Sequence, residues 1–260
     1  MLLRFFYFLW HLYLVGDFFV VALLITITTP DPIKRRQKYA RNTTRISRKF
    51  EKAFRMKVTV HNPERLHNLS ANSYLAVCNH VSYTDIILLS ALDNFVFITS
   101  VEMGNNVFLG SITRYGGCLF TNRKKYVSLP QEIDKFARTI KEGFKVMLFP
   151  EGTSTNGETI KEFRSSLFQT AVIAKCPVLP ICIKYRRLDG KTITVANRDL
   201  LYWYGDMDFA PHFMKLLRRR IEAEIYILES IPFQEEKLRQ TLSKEVYGQI
   251  HACFHRMDEN

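Results

Sequence analysis

The chain has 260 residues, of which 47% are hydrophobic and 24% charged, with a formal net charge of +12 and a pI near 9.5. This composition supplies one sizeable core, or one domain with a small anchor, and so basic a balance implies an anionic partner: nucleic acid, a membrane surface or a phosphorylated substrate. Five cysteines, an odd number without a C-x-x-C pair, make free thiols in a reducing compartment the natural reading.

Residues 5–29 are nearly all apolar or aromatic. As a helix of about 25 residues they reach roughly 37 Å, against roughly 30 Å of bilayer hydrocarbon. Asp17 opposes insertion by about 2.5–3.5 kcal/mol. About fifteen Leu, Ile, Val and Phe side chains each favour it by about 0.3–0.6 kcal/mol. The expectation is a membrane anchor, either spanning or shallow, with Gly16-Asp17 suited to the shallow form. A lone Arg4 ahead of so long an apolar run argues against a cleaved signal peptide.

Pro30 and Pro32 end that helix. Residues 31–57 then hold eleven Lys and Arg against Asp31 and Glu51, a local +9. Tyr39, Thr43, Ile46, Phe50 and Phe54 recur at steps of three and four, which predicts an amphipathic helix with a narrow apolar stripe. Beside an apolar anchor such a helix suits anionic lipid. The plainer alternative is a solvated helix whose stripe packs on the domain. No RNP-like aromatics, helix-turn-helix pattern or zinc-finger spacing accompanies the charge, so nucleic acid is not the expected partner. By the positive-inside rule the rest of the chain faces the cytoplasm.

Beyond residue 57, short apolar strands are predicted at 57–61, 74–78, 95–99, 118–121, 146–149, 178–183, 192–195 and 224–228. Helices are predicted at 85–91, 130–142, 163–175, 211–221 and 234–256. This alternation indicates an α/β fold, a central and mostly buried β-sheet flanked by helices.

Chemistry-bearing residues cluster where the predicted strands end. Asn79-His80 leaves one strand and Asp85 follows five residues later. A carboxylate there can fix the imidazole tautomer of a basic histidine. Five residues do not align on a helix of 3.6 per turn, so the pair needs a turn at His80 before the helix begins. Taken alone, such a pair is more often a structural hydrogen bond. A second segment runs Gly116-Gly117-Cys118-Leu119-Phe120-Thr121-Asn122-Arg123, with an arginine placed to grip phosphate. A third, Phe149-Pro150-Glu151-Gly152-Thr153-Ser154, empties a strand into a polar loop with one carboxylate. A fourth, Val178-Leu179-Pro180-Ile181, is a rigid apolar strand start. His251 and His255 are four apart on a predicted helix without a third ligand in sequence, an incidental pair rather than a metal site.

In this order and spacing the four segments resemble the blocks of the glycerophospholipid acyltransferase family, PlsC-like, which includes the 1-acylglycerol-3-phosphate acyltransferases. The N-H-x-x-x-x-D block is Asn79 to Asp85, G-x-x-F-x-x-R is Gly117 to Arg123, F-P-E-G-T is Phe149 to Thr153, and the V-P-V-like block is residues 178–181. The resemblance covers roughly residues 57–230. It implies the glycerolipid acyltransferase fold, with residues 1–56 as anchor and basic helix and 57–260 as the catalytic domain. It implies His80 as general base, Asp85 as its partner, and Asn79, Gly117, Phe120, Arg123, Glu151, Gly152, Thr153 and Pro180 around the substrates. The implied reaction moves an acyl group from acyl-CoA or acyl-ACP to lysophosphatidic acid at a membrane, without metal or cofactor. Many members have Arg after E-G-T, whereas this chain has Ser154, which loosens the expectation for the acceptor. Lys161 or Arg164 is the candidate replacement. Another lysophospholipid or a lyso-aminolipid is the alternative acceptor. A non-catalytic lipid-binding protein on the same fold has no use for the His80–Asp85 pair. A lipase is disfavoured because no G-x-S-x-G elbow is present.

Overall fold

The computed structural model describes residues 2–69, 72–122 and 126–256. Helix α1 (Leu2–Thr28) and helix α2 (Pro32–Ala53) form an antiparallel hairpin around the two prolines. Asp31 caps α2 by accepting the Lys34 N–H at 2.7 Å. As one helix is climbed the other descends: Thr26 meets Tyr39, the Phe18 carbonyl meets Asn42, and His11 meets Phe54 edge-on. Asp17, the one acid of the apolar run, is bound by Arg45 at 2.8 Å and Lys49 at 2.7 Å.

Among the described residues eight strands follow in chain order: β1 (Met56–His61), β2 (Leu75–Cys78), β3 (Phe95–Ser100), β4 (Leu119–Thr121), β5 (Lys145–Leu148), β6 (Val178–Leu188), β7 (Lys191–Thr192) and β8 (Ile221–Ile227). Their sheet order is β1-β8-β6-β2-β5-β3-β4, with β7 hairpinned onto β6. Strands β6, β2, β5, β3 and β4 are mutually parallel, while β8 runs against β6 and carries β1 beside it in parallel. Strand β2 is therefore central, with Leu75 in register with Val146 on one side and Val178 on the other.

Alternating residues of the parallel strands feed two separate cores. Ala76, Cys78, Met147, Ile181 and Ile183 point to the side of α3 (Tyr83–Leu92). Leu75, Val77, Val146, Leu148 and Cys182 point to the side of α6 (Leu129–Lys141), α7 (Gln169–Ala174) and α9 (Arg239–Arg256). Both faces are covered, which is why the central strands read as unbroken apolar runs. The hairpin α1–α2 lies on the α3 side, where Phe50 and Phe54 of α2's stripe join the core or pack against it.

The expected α/β class is observed, with differences at several elements. Helices α4 (Val101–Asn105) and α5 (Val107–Tyr115) have no counterpart in the sequence reading. The helix expected at 163–175 begins as a 3₁₀ turn, Ser165–Phe168. The helix expected at 211–221 is α8 (Phe209–Leu216), and Ile221 instead opens β8. Arg218 at φ 75 breaks the chain between them, a conformation foreign to a right-handed helix. The strand expected at 192–195 is only the two-residue β7.

Candidate active site

The turn from β2 into α3 holds the histidine. Asn79, buried at the end of β2, pairs its amide with both backbone groups of Ile183 at 2.9 Å each. It thereby clamps β2 to β6 through the main chain. Ser82 then caps α3, and Asp85 at the third helical position completes a capping box. The five-residue spacing follows from this local structure: His80 sits two residues before the cap and Asp85 three after it, so the helix start folds the carboxylate back under the imidazole.

Asp85 is fully buried, and both carboxylate oxygens are engaged. Oδ2 accepts from His80 Nδ1 at 2.8 Å and from the N–H groups of Val81 and Ser82 at 2.8 and 3.0 Å. Oδ1 accepts from the Tyr185 hydroxyl at 2.6 Å, whose oxygen in turn takes the Thr84 hydroxyl at 2.7 Å. Each of these partners is a donor, so the carboxylate acts here as an acceptor only. His80 therefore carries its proton on Nδ1 and keeps the lone pair on Nε2. Its side chain is 16% exposed, and the ring is stacked on Phe149 at 4.2 Å.

The loop after β5 stitches itself to His80. Glu151, 3% exposed, accepts the His80 backbone N–H at 2.7 Å with Oε1 and the Lys161 N–H at 2.9 Å with Oε2. Thr155 returns its N–H to the His80 carbonyl at 3.0 Å. Burial pushes the Glu151 carboxyl up to about 7, against the opposing pull of the Lys161 and His80 N–H groups. Each Glu151 oxygen thus accepts one backbone N–H, and the carboxylate holds the main chain at His80 in place. Gly152 has φ 76, and a Cβ there would lie 3.2 Å from the guanidinium carbon of Arg164. The left-handed backbone calls for glycine here, and the Arg164 guanidinium lies close against it. Thr153 is exposed, its hydroxyl turned to the Ser154 carbonyl at 3.3 Å.

The other expected contacts disperse. Gly117, with φ 76, approaches Arg36 and Tyr39 of α2 rather than the histidine. Phe120 lies half-buried in β4 against Gly104. Pro180 is buried in β6 opposite Val77, a wall of the sheet beneath the site. Arg123 lies outside the described residues. His80, Asp85, Glu151 and Gly152 are brought together at the carboxyl ends of β2 and β5, the usual place for sites on parallel sheets. Sequence reasoning missed Tyr185 and Thr84. The signal for Tyr185 was a hydroxyl on the same strand face as the apolar Leu179, Ile181 and Ile183.

The Acyltransferase family model matches residues 57–184. A lyso-ornithine lipid O-acyltransferase of Pseudomonas aeruginosa is 37% identical over 62% of this chain and 60% of its own length. One of Rhizobium meliloti is 27% identical over 69% of this chain and 64% of its own. A 1-acyl-sn-glycerol-3-phosphate acyltransferase of Neisseria gonorrhoeae is 31% identical over 46% of this chain and 47% of its own. This chain therefore spans less than two thirds of the length of these three relatives. The crystal structure of the 1-acyl-sn-glycerophosphate acyltransferase PlsC from Thermotoga maritima superposes with a TM-score of 0.65 at 17% identity, covering 96% of each chain, and shows the shared fold. Over residues 57–184 the chain thus carries the domain of the Acyltransferase family, with the four blocks in order on the fold it shares with PlsC.

Proposed function

We propose that this protein transfers a fatty acyl group from a thioester donor, acyl-CoA or acyl-ACP, to the free hydroxyl of a lysolipid at a membrane surface. The observation that carries the reading is the buried Asp85 carboxylate holding His80 Nδ1 at 2.8 Å, which leaves Nε2 as the base. The acceptor hydroxyl gives its proton to Nε2 as its oxygen attacks the thioester carbonyl. The tetrahedral adduct collapses, the C–S bond breaks, and the proton passes from Nε2 to the departing thiolate. General-base assistance of this kind contributes about 10²–10⁴-fold. Asp85 balances the imidazolium as it forms. No cofactor or metal takes part in these steps.

The acceptor we favour from the motif set is lysophosphatidic acid, its phosphate met by Arg123 and by Arg164 over Gly152. A second reading is a lyso-ornithine lipid. Ser154 in place of the family's arginine supports it, as do the names of the Pseudomonas and Rhizobium relatives.

Residues 6–28 are long and apolar enough to cross a membrane. The hairpin geometry favours a shallow anchor instead. An upright α1 would draw α2, with its nine Lys and Arg, into hydrocarbon at about 2.5–3.5 kcal/mol per charge. Lying flat, α1 buries Leu23, Leu24 and Ile27 in lipid while α2 keeps its charges at the headgroups. The catalytic domain then sits on the cytoplasmic leaflet.

The test is thiol release from acyl-CoA and acyl-ACP by the detergent-purified protein, with lysophosphatidic acid or lyso-ornithine lipid, and product identification by mass spectrometry. Acceptor-dependent release that disappears in His80→Ala is the expected result. Release without any acceptor would instead mean a thioesterase, and no release with either donor would favour a lipid-binding protein.

A further inference from the structure

Arg41, Arg45 and Arg48 recur on α2 at steps of four and three and share one helix face. That face meets the C-terminal end of α3 across a cleft of about 450 Å³, also lined by His67, Asp93 and Asn94. Asp93 is the only carboxylate among these residues, and Lys145 already meets it at 2.5 Å. Arg45 is held in a bidentate grip by Asp17 at 2.8 and 3.1 Å, which fixes one wall. Arg48 gives Nε to the Ala91 carbonyl at 3.0 Å and keeps its terminal nitrogens. Arg41 and His67 are exposed and make no side-chain hydrogen bond or ion pair among the described residues. The cleft thus gathers several donors and excess positive charge that the fold itself does not use.

Its position separates it from the proposed base. Asp93 and Asn94 follow α3, whose ten residues set them roughly 15 Å from the end that carries His80. They lead into β3, so the cleft lies at the amino ends of the parallel strands, whereas His80 and Glu151 leave carboxyl ends. The same Arg45 is tied through Asp17 to α1, where Val20, Leu23, Leu24 and Ile27 are 52–71% exposed. With those side chains in lipid, the cleft stands one helix away, at headgroup depth. Planar guanidinium groups there match phosphate oxygens in geometry and charge.

We propose that this cleft binds the phosphate of an anionic membrane phospholipid, at a site distinct from the acyl-transfer centre. The site would fix how the domain is seated on the bilayer whichever lysolipid is acylated. The full chain in detergent, and its His80→Ala form, can be titrated calorimetrically with dihexanoyl phosphatidylglycerol, dihexanoyl phosphatidylcholine and inorganic phosphate. Saturable binding of phosphatidylglycerol is expected in both forms, whether or not the protein proves to be a transferase. Arg41→Ala with His67→Ala removes groups that support nothing else in the fold, and should weaken that binding at least about tenfold. Lys34→Ala with Arg35→Ala, which removes charge from α2 outside the cleft, should change it less than about twofold. Equal loss in the two double variants would mean diffuse surface charge and overturn the site. So would absence of saturable phosphatidylglycerol binding. Inorganic phosphate binding as tightly as phosphatidylglycerol would overturn the lipid assignment.

Discussion

The Glu151 carboxylate accepts the backbone N–H of His80 at 2.7 Å, across the gap between two parallel strands. The third sequence block thereby acts on the first through the main chain. Glu151 lies at about 7 because burial opposes its charge, and this has a consequence for stability. Its folded value is above the unfolded carboxyl value of 4.5, so between these limits the folded chain binds more protons. The stabilisation this group supplies is full below about pH 4.5 and is lost as pH rises through about 7, a difference of roughly 3 kcal/mol. Glu151→Gln removes that titration. The fall in melting temperature between pH 5 and pH 8 should be smaller in the variant than in the parent. Parallel falls in both would remove Glu151 as the source. The variant should also lose activity, since its amide sets a donor against one of the two N–H groups.

The dyad itself makes a sharper demand. His80→Ala should lower kcat by about 10²–10⁴ and cost less stability than Asp85→Asn, because Asp85 Oδ2 keeps its two backbone donors when the ring is removed. Asp85→Asn should lower kcat comparably and also destabilise the fold, since its amide nitrogen would face donors that now meet a carboxylate oxygen. Equal stability of Asp85→Asn and the parent would contradict the four-donor geometry. Steady-state rates and thermal unfolding of both variants decide it.

Much of this site was legible in the sequence, for reasons that can be named. The strand-to-helix turn is written in Ser82-x-x-Asp85, a capping pattern that places a carboxylate beside any residue just before the cap. The central strands show as apolar runs because both sheet faces are covered. The roles of Asn79 and Glu151 were not legible. Both are polar residues at strand ends, and only the chain crossing from β6 or from residues 155–161 reveals which backbone groups they bind. Helices α4 and α5 were hidden for a related reason. Gly104 and Gly110 suppress helical propensity, yet they let the two short helices touch: a Cβ on Gly110 would sit 2.2 Å from the Gly104 carbonyl oxygen. Tertiary contact there overrides local preference.

Tyr185 supplies a residue that the motif does not contain. Its hydroxyl links Thr84 to Asp85 inside the core, where Tyr185 is buried. Tyr185→Phe should cost about 1–3 kcal/mol of stability, because Thr84 and Asp85 Oδ1 are each left one partner short. It should lower kcat about tenfold while leaving KM for donor and acceptor unchanged, since the ring touches neither. A change confined to melting temperature, with normal kcat, would show that the bond supports only the fold and not the orientation of Asp85.

Arg164 offers a way to separate the two acceptor readings. Its guanidinium lies against Gly152 in the loop that holds His80 in place, and it makes no ion pair among the described residues. If it replaces the arginine that Ser154 displaced, Arg164→Ala should raise KM for lysophosphatidic acid about tenfold or more, the scale of one lost charge-assisted bond. Arg164→Lys should recover part of that loss, as a point charge without the bidentate fork. KM for a lyso-ornithine lipid, which offers no phosphate, should move less than about twofold. Equal KM changes for both acceptors would place Arg164 on a feature that they share, or on the acyl donor.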